Sequence, residues 1–329
     1  MVTGVRPGRS RGVTPIDSRS SLQRGLVTVA IPTYNGSRYL RDALDSALRQ
    51  TYEHIEIMVV DDVSEDESAE IAEQFGRAHP ERTVRVERNR QRLGLAANWN
   101  RCIELARGEY VKFLFQDDLL EPECVAELVG TIDQAPTAGM AFAPRAILVD
   151  GPHDVWIRLW MARHAVLHTR FTRLDRLNDG GRLFREQMAR DPFRNWIGEP
   201  TVVLLRTEHV RQAGGFNPRL KQLVDVEGWL RVMCRGEVGF VDRPLASYRL
   251  HGGSTTSRNV LDGAAWLDPL WMVESLLADD CVRAGRPRAA RLRIRALLRV
   301  MRGEVVRVMK GRRPAVFNRA GEVRALLRR

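Results

Sequence analysis

What most constrains the fold of this chain is a recurring device: an apolar, β-branched or aromatic run that stops abruptly at polar residues. It occurs in Val27-Thr-Val-Ala-Ile-Pro-Thr-Tyr-Asn35, in Ile55–Val60 followed by Asp61-Asp62, and in Tyr110–Phe115 followed by Gln116-Asp117-Asp118. A run apolar on both faces reads as a buried parallel strand, and a polar tip reads as the point where that strand opens into a ligand crevice. Residues Tyr39, Leu40, Ala43, Leu44, Ala47 and Leu48 recur at helical spacing. Ser64 with Glu67 forms a capping-box pattern, predicting a helix from there to about Ala78. Thr83–Glu87 reads as a short strand, Gly94–Ala106 as a helix, and Glu121–Asp133 as a helix with Pro122 in its first turn. This alternation predicts an α/β fold with a mainly parallel sheet flanked by helices, its strand tips gathered on one edge.

Beyond residue 135 the pattern loosens. Ala138–Val149 and Thr201–Leu205 read as strands, Leu223–Arg235 as a helix with Asp225 and Glu227 near its start, and Val238–Val241 and Leu245–Leu250 as short strands. The intervening 151–195 stretch is weakly patterned, with Trp156 and Trp160 on one potential helix face. From Asp262 the pattern is helical, interrupted near Gly285–Pro287 and Gly311–Pro314.

Charge separates the chain into two regimes. Residues 281–329 hold 16 Lys/Arg against 2 Asp/Glu, an excess of +14 that exceeds the +11 of the whole chain, so residues 1–280 carry −3. A basic tail suggests an anionic partner there, whether membrane surface, lipid phosphate or nucleic acid, while the mildly acidic body argues against a protein that grips nucleic acid across its folded surface. The plain alternative is a C-terminal helical pair packed on the domain with a solvated basic face. No run approaches the roughly 18 apolar residues of a membrane span. The N-terminal stretch is rich in Arg, Ser and Gly without the apolar core of a secretory signal, so residues 1–25 read as a disordered arm. The four cysteines, Cys102, Cys124, Cys234 and Cys281, are far apart, which suits a reducing compartment. These features together lead us to expect a cytoplasmic protein, peripheral at the inner face of the membrane if the tail docks there.

Adjacent carboxylates at a strand end repel unless a cation or hydrogen-bond donors neutralise them. Asp117-Asp118 is therefore a candidate for Mg²⁺ or Mn²⁺, hard ions that take carboxylate oxygens and leave positions for a pyrophosphate. Asp61-Asp62 repeats the design; a carboxylate there suits the imide N–H of a uracil or thymine or a ribose hydroxyl, or else it caps the Ser64 helix. Tyr34 is placed to stack on a base or to be an ordinary turn residue. Neither GxGxxG after the first strand nor GxxxxGK[ST] is present, which disfavours dinucleotide oxidoreductases and P-loop enzymes.

Val29–Asn35, Val59-Val-Asp-Asp-Val-Ser64, Asn98-Trp-Asn100 and Gly108–Asp118, in that order, resemble the nucleotide-sugar half of family 2 inverting glycosyltransferases of GT-A (Rossmann-like) fold. Gly214–Arg231 and Tyr248-Arg-Leu-His251 resemble the acceptor-side helix and the closing segment of the same family. The resemblance runs from about Leu26 to Arg258. It implies a domain over 26–258, with a nucleotide-sugar half (26–135) and an acceptor half (136–258), followed by a basic helical extension over 259–329. By the same resemblance Pro32, Thr33, Tyr34, Asn35, Asp61, Asp62, Asn100 and Asp117 would hold the donor. Asp118, Asp117 and His251 would hold the metal, and Asp225 would be the general base with Glu227 in reserve. Phe115 stands where the family often has a further Asp, and Val224 where it usually has Glu. The expected activity is metal-assisted transfer, with inversion, of a sugar from a UDP- or dTDP-type donor to a hydroxyl of a glycan, lipid-linked or small-molecule acceptor. The competing readings are a nucleotidyltransferase that makes such donors, disfavoured because Thr33–Arg38 is not a Gly- and Lys/Arg-rich loop, and a basic nucleic-acid- or membrane-binding protein.

Overall fold

The computed structural model describes residues 21–151, 161, 166–252, 265–282 and 285–309. Trp156 and Trp160, and residues 1–20 of the expected N-terminal arm, lie outside them. The first strand, β1 (Gln23–Thr33), begins inside the stretch expected to be arm. From Leu26 to Ile31 every residue of β1 is buried, so both of its faces are covered. It pairs in parallel with β2 (Ile55–Asp61) on one side and with β4 (Gly108–Phe113) on the other, and β3 (Thr83–Arg88) adds to the outer edge of β2. Register places Thr33 beside Asp61 and Ala30 beside Phe113.

Helices α1 (Leu40–Leu48) and α2 (Ser68–Ala78) pack on each other over β2 and β3. Helix α3 (Leu95–Leu105) returns the chain from β3 to β4 and packs against β1 and β2. Strand order thus runs one way from β1 to β2 and β3, and the other way from β1 to β4. A crevice opens outside the carboxyl ends of the strands where such a reversal occurs.

Past β4 the sheet turns mixed. Helix α4 (Cys124–Ile132) leads into β6 (Ala138–Phe142), and β9 (Val203–Arg206) inserts antiparallel between β4 and β6. β10 (Glu237–Phe240) runs parallel to β6, and β8 (Leu177–Asp179) closes the edge antiparallel to β10. The expected strand over 138–149 is two strands in different sheets. It breaks at Ala143-Pro144, and β7 (Arg145–Val149) joins β11 (Ala246–Leu250) and the two-residue β5 (Leu119–Leu120) in a small second sheet. That sheet delivers Tyr248–His251 beside Asp117-Asp118.

The expected capping box at Ser64 does not form. Helix α2 begins at Ser68, and the Ser64 hydroxyl instead accepts the Asn35 N–H at 2.9 Å. Competing side-chain-to-backbone bonds of this kind draw serine out of a cap when a loop needs it more.

The second half of the fold is completed by α5 (Gly180–Arg190), α6 (Thr207–Gln212) and α7 (Val224–Met233). Helix α8 (Asp268–Ala278) belongs to the stretch expected as an extension, yet it buries Trp271, Met272 and Leu276 in the same core. Its first residue, Asp268, accepts backbone N–H groups of Lys221, Gln222 and Leu223, which lead into α7. Within α7, Glu227 and Arg231 form a fully buried pair at 2.7 Å. Arg231 also donates to the carbonyls of Ala213 and Gly215, and Ser275 of α8 donates to Glu227 at 2.6 Å. Removing one member of a buried ion pair leaves an uncompensated charge, a loss of about 3–5 kcal/mol. Arg231→Met should therefore lower the unfolding free energy by about that amount, read as a shift of the denaturant midpoint.

Candidate active site

The strand tips and α7 enclose a cleft of about 510 Å³, the scale of a small-molecule site. Of the residues singled out from sequence, Pro32, Thr33, Tyr34, Asp62, Asp117 and Asp225 line it. Residues separated by almost 200 positions meet there because β1, β2 and β4 end on one edge and α7 crosses it.

At the tips of β1 and β2 the chain is tightly specified. Asn35 and Val63 both have left-handed backbone, with φ of 50° and 63°. For β-branched Val63 that conformation costs about 1–3 kcal/mol, and such strain persists only where its surroundings over-determine it. Here they do: the Asp62 N–H donates to the Thr33 carbonyl at 2.8 Å, and the Ser64 N–H donates to the Asp61 carboxylate at 3.1 Å. The Asp62 side chain reaches the other way and accepts N–H groups from Leu93 (2.7 Å), Gly94 (2.8 Å) and the Asn89 amide (2.9 Å). It thereby fixes the loop carrying Arg92, whose guanidinium sits 3.9 Å over the Tyr34 ring at the cleft wall. Gln116 brackets the Tyr34 backbone, accepting its N–H at 2.8 Å and donating to its carbonyl at 3.1 Å.

Several residues named from sequence lie away from the cleft. Asp61 is fully buried, and besides Ser64 it pairs with Arg88 at 3.2 Å. The Asn35 side chain accepts the Glu65 N–H, closing its own turn. Asn100 exchanges two hydrogen bonds with the backbone of Phe216, and its neighbour Asn98 lines the cleft instead. Glu227, the reserve base, is locked inside the protein by Arg231 and Ser275.

The two carboxylates after β4 divide in the same way. Asp118 is buried; one oxygen accepts the Thr201 hydroxyl at 2.7 Å and the other the Arg249 N–H at 2.9 Å. Burial, and then the neighbouring Asp117 charge, raise its carboxyl well above the usual carboxylate range. Asp117 faces the cleft and meets His251 Nε2 at 2.9 Å. His251 leans on Tyr39, ring centroids 5.0 Å apart. Among the described residues no three His, Cys, Asp or Glu side chains converge on one point. At the cleft, Asp117 and His251 bring a carboxylate oxygen and an imidazole nitrogen together. That donor pair fits Mn²⁺ or Mg²⁺ when substrate phosphates and water fill the remaining positions. Asp118 has both oxygens engaged and does not line the cleft.

On the opposite element, Asp225 is half-buried at the start of α7. Its carboxylate accepts the Asn195 amide at 2.7 Å and the Val226 N–H at 2.8 Å. Burial, then the charge of nearby Glu199, push its pKa up to about 7. Glu199, itself paired with Arg145 at 3.0 Å, also lines the cleft. Asn195, Glu199, Arg92, Trp99 and Tyr248 are cleft residues that the sequence reading missed as site residues. The available signal was the Asn195-Trp-Ile-Gly-Glu-Pro200 segment, polar residues around a glycine just before a strand. Beneath the cleft an aromatic row ties the two halves together: Trp99 meets Phe115 and Phe216 at 5.1 Å, and Phe216 meets Trp229 at 5.8 Å.

The glycosyl transferase family 2 model matches residues 28–192, half of the chain. The uncharacterized protein MT1568 of Mycobacterium tuberculosis (strain CDC 1551 / Oshkosh) is 38% identical over 285 residues, covering 84% of each chain. Among solved structures, TarS (residues 1–349) of S. aureus in complex with UDP-GlcNAc aligns with a TM-score of 0.60 at 18% identity, over 83% of this chain and 72% of that one. The mannosyltransferase PcManGT of Pyrobaculum calidifontis, in complex with GDP-Man and Mn²⁺, aligns with a TM-score of 0.55 at 17% identity, over 97% and 84%. The chain belongs to glycosyl transferase family 2 and has the GT-A fold: it is a glycosyltransferase.

Because Asp62 uses its charge to hold the 92–94 loop, Asp62→Asn should loosen that loop without unfolding the domain. Hydrogen bonds to a charged acceptor contribute about 1.5–3 kcal/mol. Amide exchange at Leu93 and Gly94 should therefore accelerate by about tenfold or more, measured by hydrogen–deuterium exchange.

Proposed function

We propose that this glycosyltransferase moves a sugar from a UDP- or dTDP-type donor to an acceptor hydroxyl by a single displacement with inversion, with Asp225 as the general base. The observation that carries this reading is the placement of Asp225, its pKa raised to about 7, in the same cleft as Asp117, the partner of His251. A base poised near neutrality has the right strength to take a hydroxyl proton in the transition state. The neighbours solved with UDP-GlcNAc and GDP-Man support a nucleoside-diphosphate sugar as donor.

In this reading the nucleoside lies against Tyr34, Arg92 and the Asp62 loop, with its diphosphate toward Asp117. The acceptor enters beside α7. As the acceptor oxygen attacks the anomeric carbon, its proton passes to an Asp225 oxygen while Asn195 steadies the other one. The new carbon–oxygen bond forms as the bond to the diphosphate breaks, and the diphosphate departs with the electron pair. A divalent cation held by Asp117 and His251 would supply Lewis-acid neutralisation of that departing charge. Attack opposite the leaving group needs no covalent intermediate, and inversion follows. The acceptor class we infer is a glycan, a lipid-linked glycan or a small molecule bearing a hydroxyl.

The sign of the pH dependence follows from the raised pKa. Below about pH 7 the Asp225 carboxyl keeps its proton and cannot accept another, so kcat/KM should fall about tenfold per pH unit on the acid side. The same shift makes the folded state bind a proton that the unfolded chain releases between about pH 4 and 7, so this group's contribution to stability declines as pH rises through that window. Glu199→Gln, which removes the like charge, should move the acid limb to lower pH. Asp225→Asn should reduce transfer by about 10²–10⁴-fold while a thermal shift with UDP or dTDP plus Mn²⁺ persists. Unchanged turnover in Asp225→Asn would refute the base assignment. A donor panel assayed for slow hydrolysis would name the sugar.

A further inference from the structure

Helix α9 (Arg286–Met309) packs on the domain along one face only. Leu292, Ala296 and Val300 are buried, one helical turn apart in sequence. At about 100° per residue, Ile294, Leu297, Leu298, Met301, Val305 and Val308 fall within an arc of about 100° on the side turned away from those three. All six are exposed. A solvated helix carries polar residues on its outer face, so an apolar strip there is one the described residues leave uncovered.

The borders of the strip are basic. Between residues 286 and 309 the sequence holds eight arginines and one glutamate. Arg291 and Arg302 fall along one border, and Arg286 along the other; all three are exposed. Arginines nearer the domain are used structurally: Arg295 donates to the Met188 carbonyl at 2.9 Å, Arg293 pairs with Glu274 at 2.6 Å, and Arg299 lies over the Phe193 ring. The outward strip and its basic rim are thus distinct from the packing face.

We infer that α9 is a peripheral membrane anchor that lays its outward strip into the interface of an anionic bilayer. Charge complementarity decides the occupant. Two copies of a helix with an excess of seven positive charges would repel if their strips met. Nucleic acid would match the arginines but has no use for an apolar strip between them. An anionic lipid surface satisfies both features, taking apolar side chains below the headgroups and arginines at the phosphates. No helix of the described residues is long and apolar enough to cross a membrane, so α9 would lie on the surface. The inference is independent of the donor and acceptor readings, because it concerns a face outside the cleft.

Sedimentation of the full chain with vesicles tests it. The protein should pellet with vesicles of phosphatidylcholine mixed with phosphatidylglycerol, much less with phosphatidylcholine alone, and less as salt is raised. Ile294→Asp, Leu298→Asp and Met301→Asp combined should weaken partitioning by about tenfold or more, with an unchanged melting temperature because all three side chains are exposed. Arg286→Gln, Arg291→Gln and Arg302→Gln combined should weaken it on anionic vesicles specifically, which keeps the inference testable if the first variant misfolds. Absence of binding to anionic vesicles, or equal binding by the wild type and both variants, would overturn it. A dimer that the Asp substitutions dissociate, without vesicle binding, would assign the face to a second copy. Oligonucleotide binding that survives them, without vesicle binding, would reduce the helix to a charge patch.

Discussion

Parallel strands that share a register must end together, and in this molecule that constraint sets everything else. With Thr33 beside Asp61 and Ala30 beside Phe113, the polar residues following β1, β2 and β4 have no choice but to share one edge. Apolar burial on both faces of β1 holds that register, since a one-residue slip would exchange every buried side chain between faces. The antiparallel β9 and the small second sheet then bring Thr201, Arg249 and His251 to the same edge. The site is a consequence of how the strands stop.

Its electrostatics divide carboxylates into two kinds. Asp61, Asp62, Asp118, Glu227 and Asp268 are buried, and each is met by at least two donors. A buried carboxylate without such partners is heavily penalised, so these groups act as clamps on loops and helix starts. Asp117, Asp225 and Glu199 are more open and face the cleft. Burial of Asp225, with repulsion from Glu199 added to it, raises its proton affinity. The scaffold acids are enclosed by protein, whereas the cleft acids border space that a ligand can enter.

The parallel core was legible because apolar runs with polar tips and helical spacing carry it directly. So was the pairing of family motifs with strand ends. What could not be read was which member of each adjacent pair faces the cleft. Asp61-Asp62 stands at the end of β2 and Asp117-Asp118 in the turn after β4. The local backbone there, which the sequence does not report, makes Asp62 and Asp117 line the cleft while Asp61 and Asp118 turn inward. Asn98 and Asn100, two positions apart on a helix, diverge by helix geometry. Glu199 escaped notice because its importance comes from Asp225, distant in sequence. The 138–149 stretch looked like one strand because periodicity does not report a change of sheet, although Pro144 marked the bend.

Asp268 gives the architecture a temporal consequence. The backbone amides just ahead of Asp225 are held by a residue that follows them by more than forty positions. During synthesis strands β1 to β4 can therefore assemble while the wall opposite them still lacks its fastening. The groove is finished only after α8 has emerged, so a nascent or prematurely terminated chain would carry the strand-tip wall without a fixed α7 wall facing it.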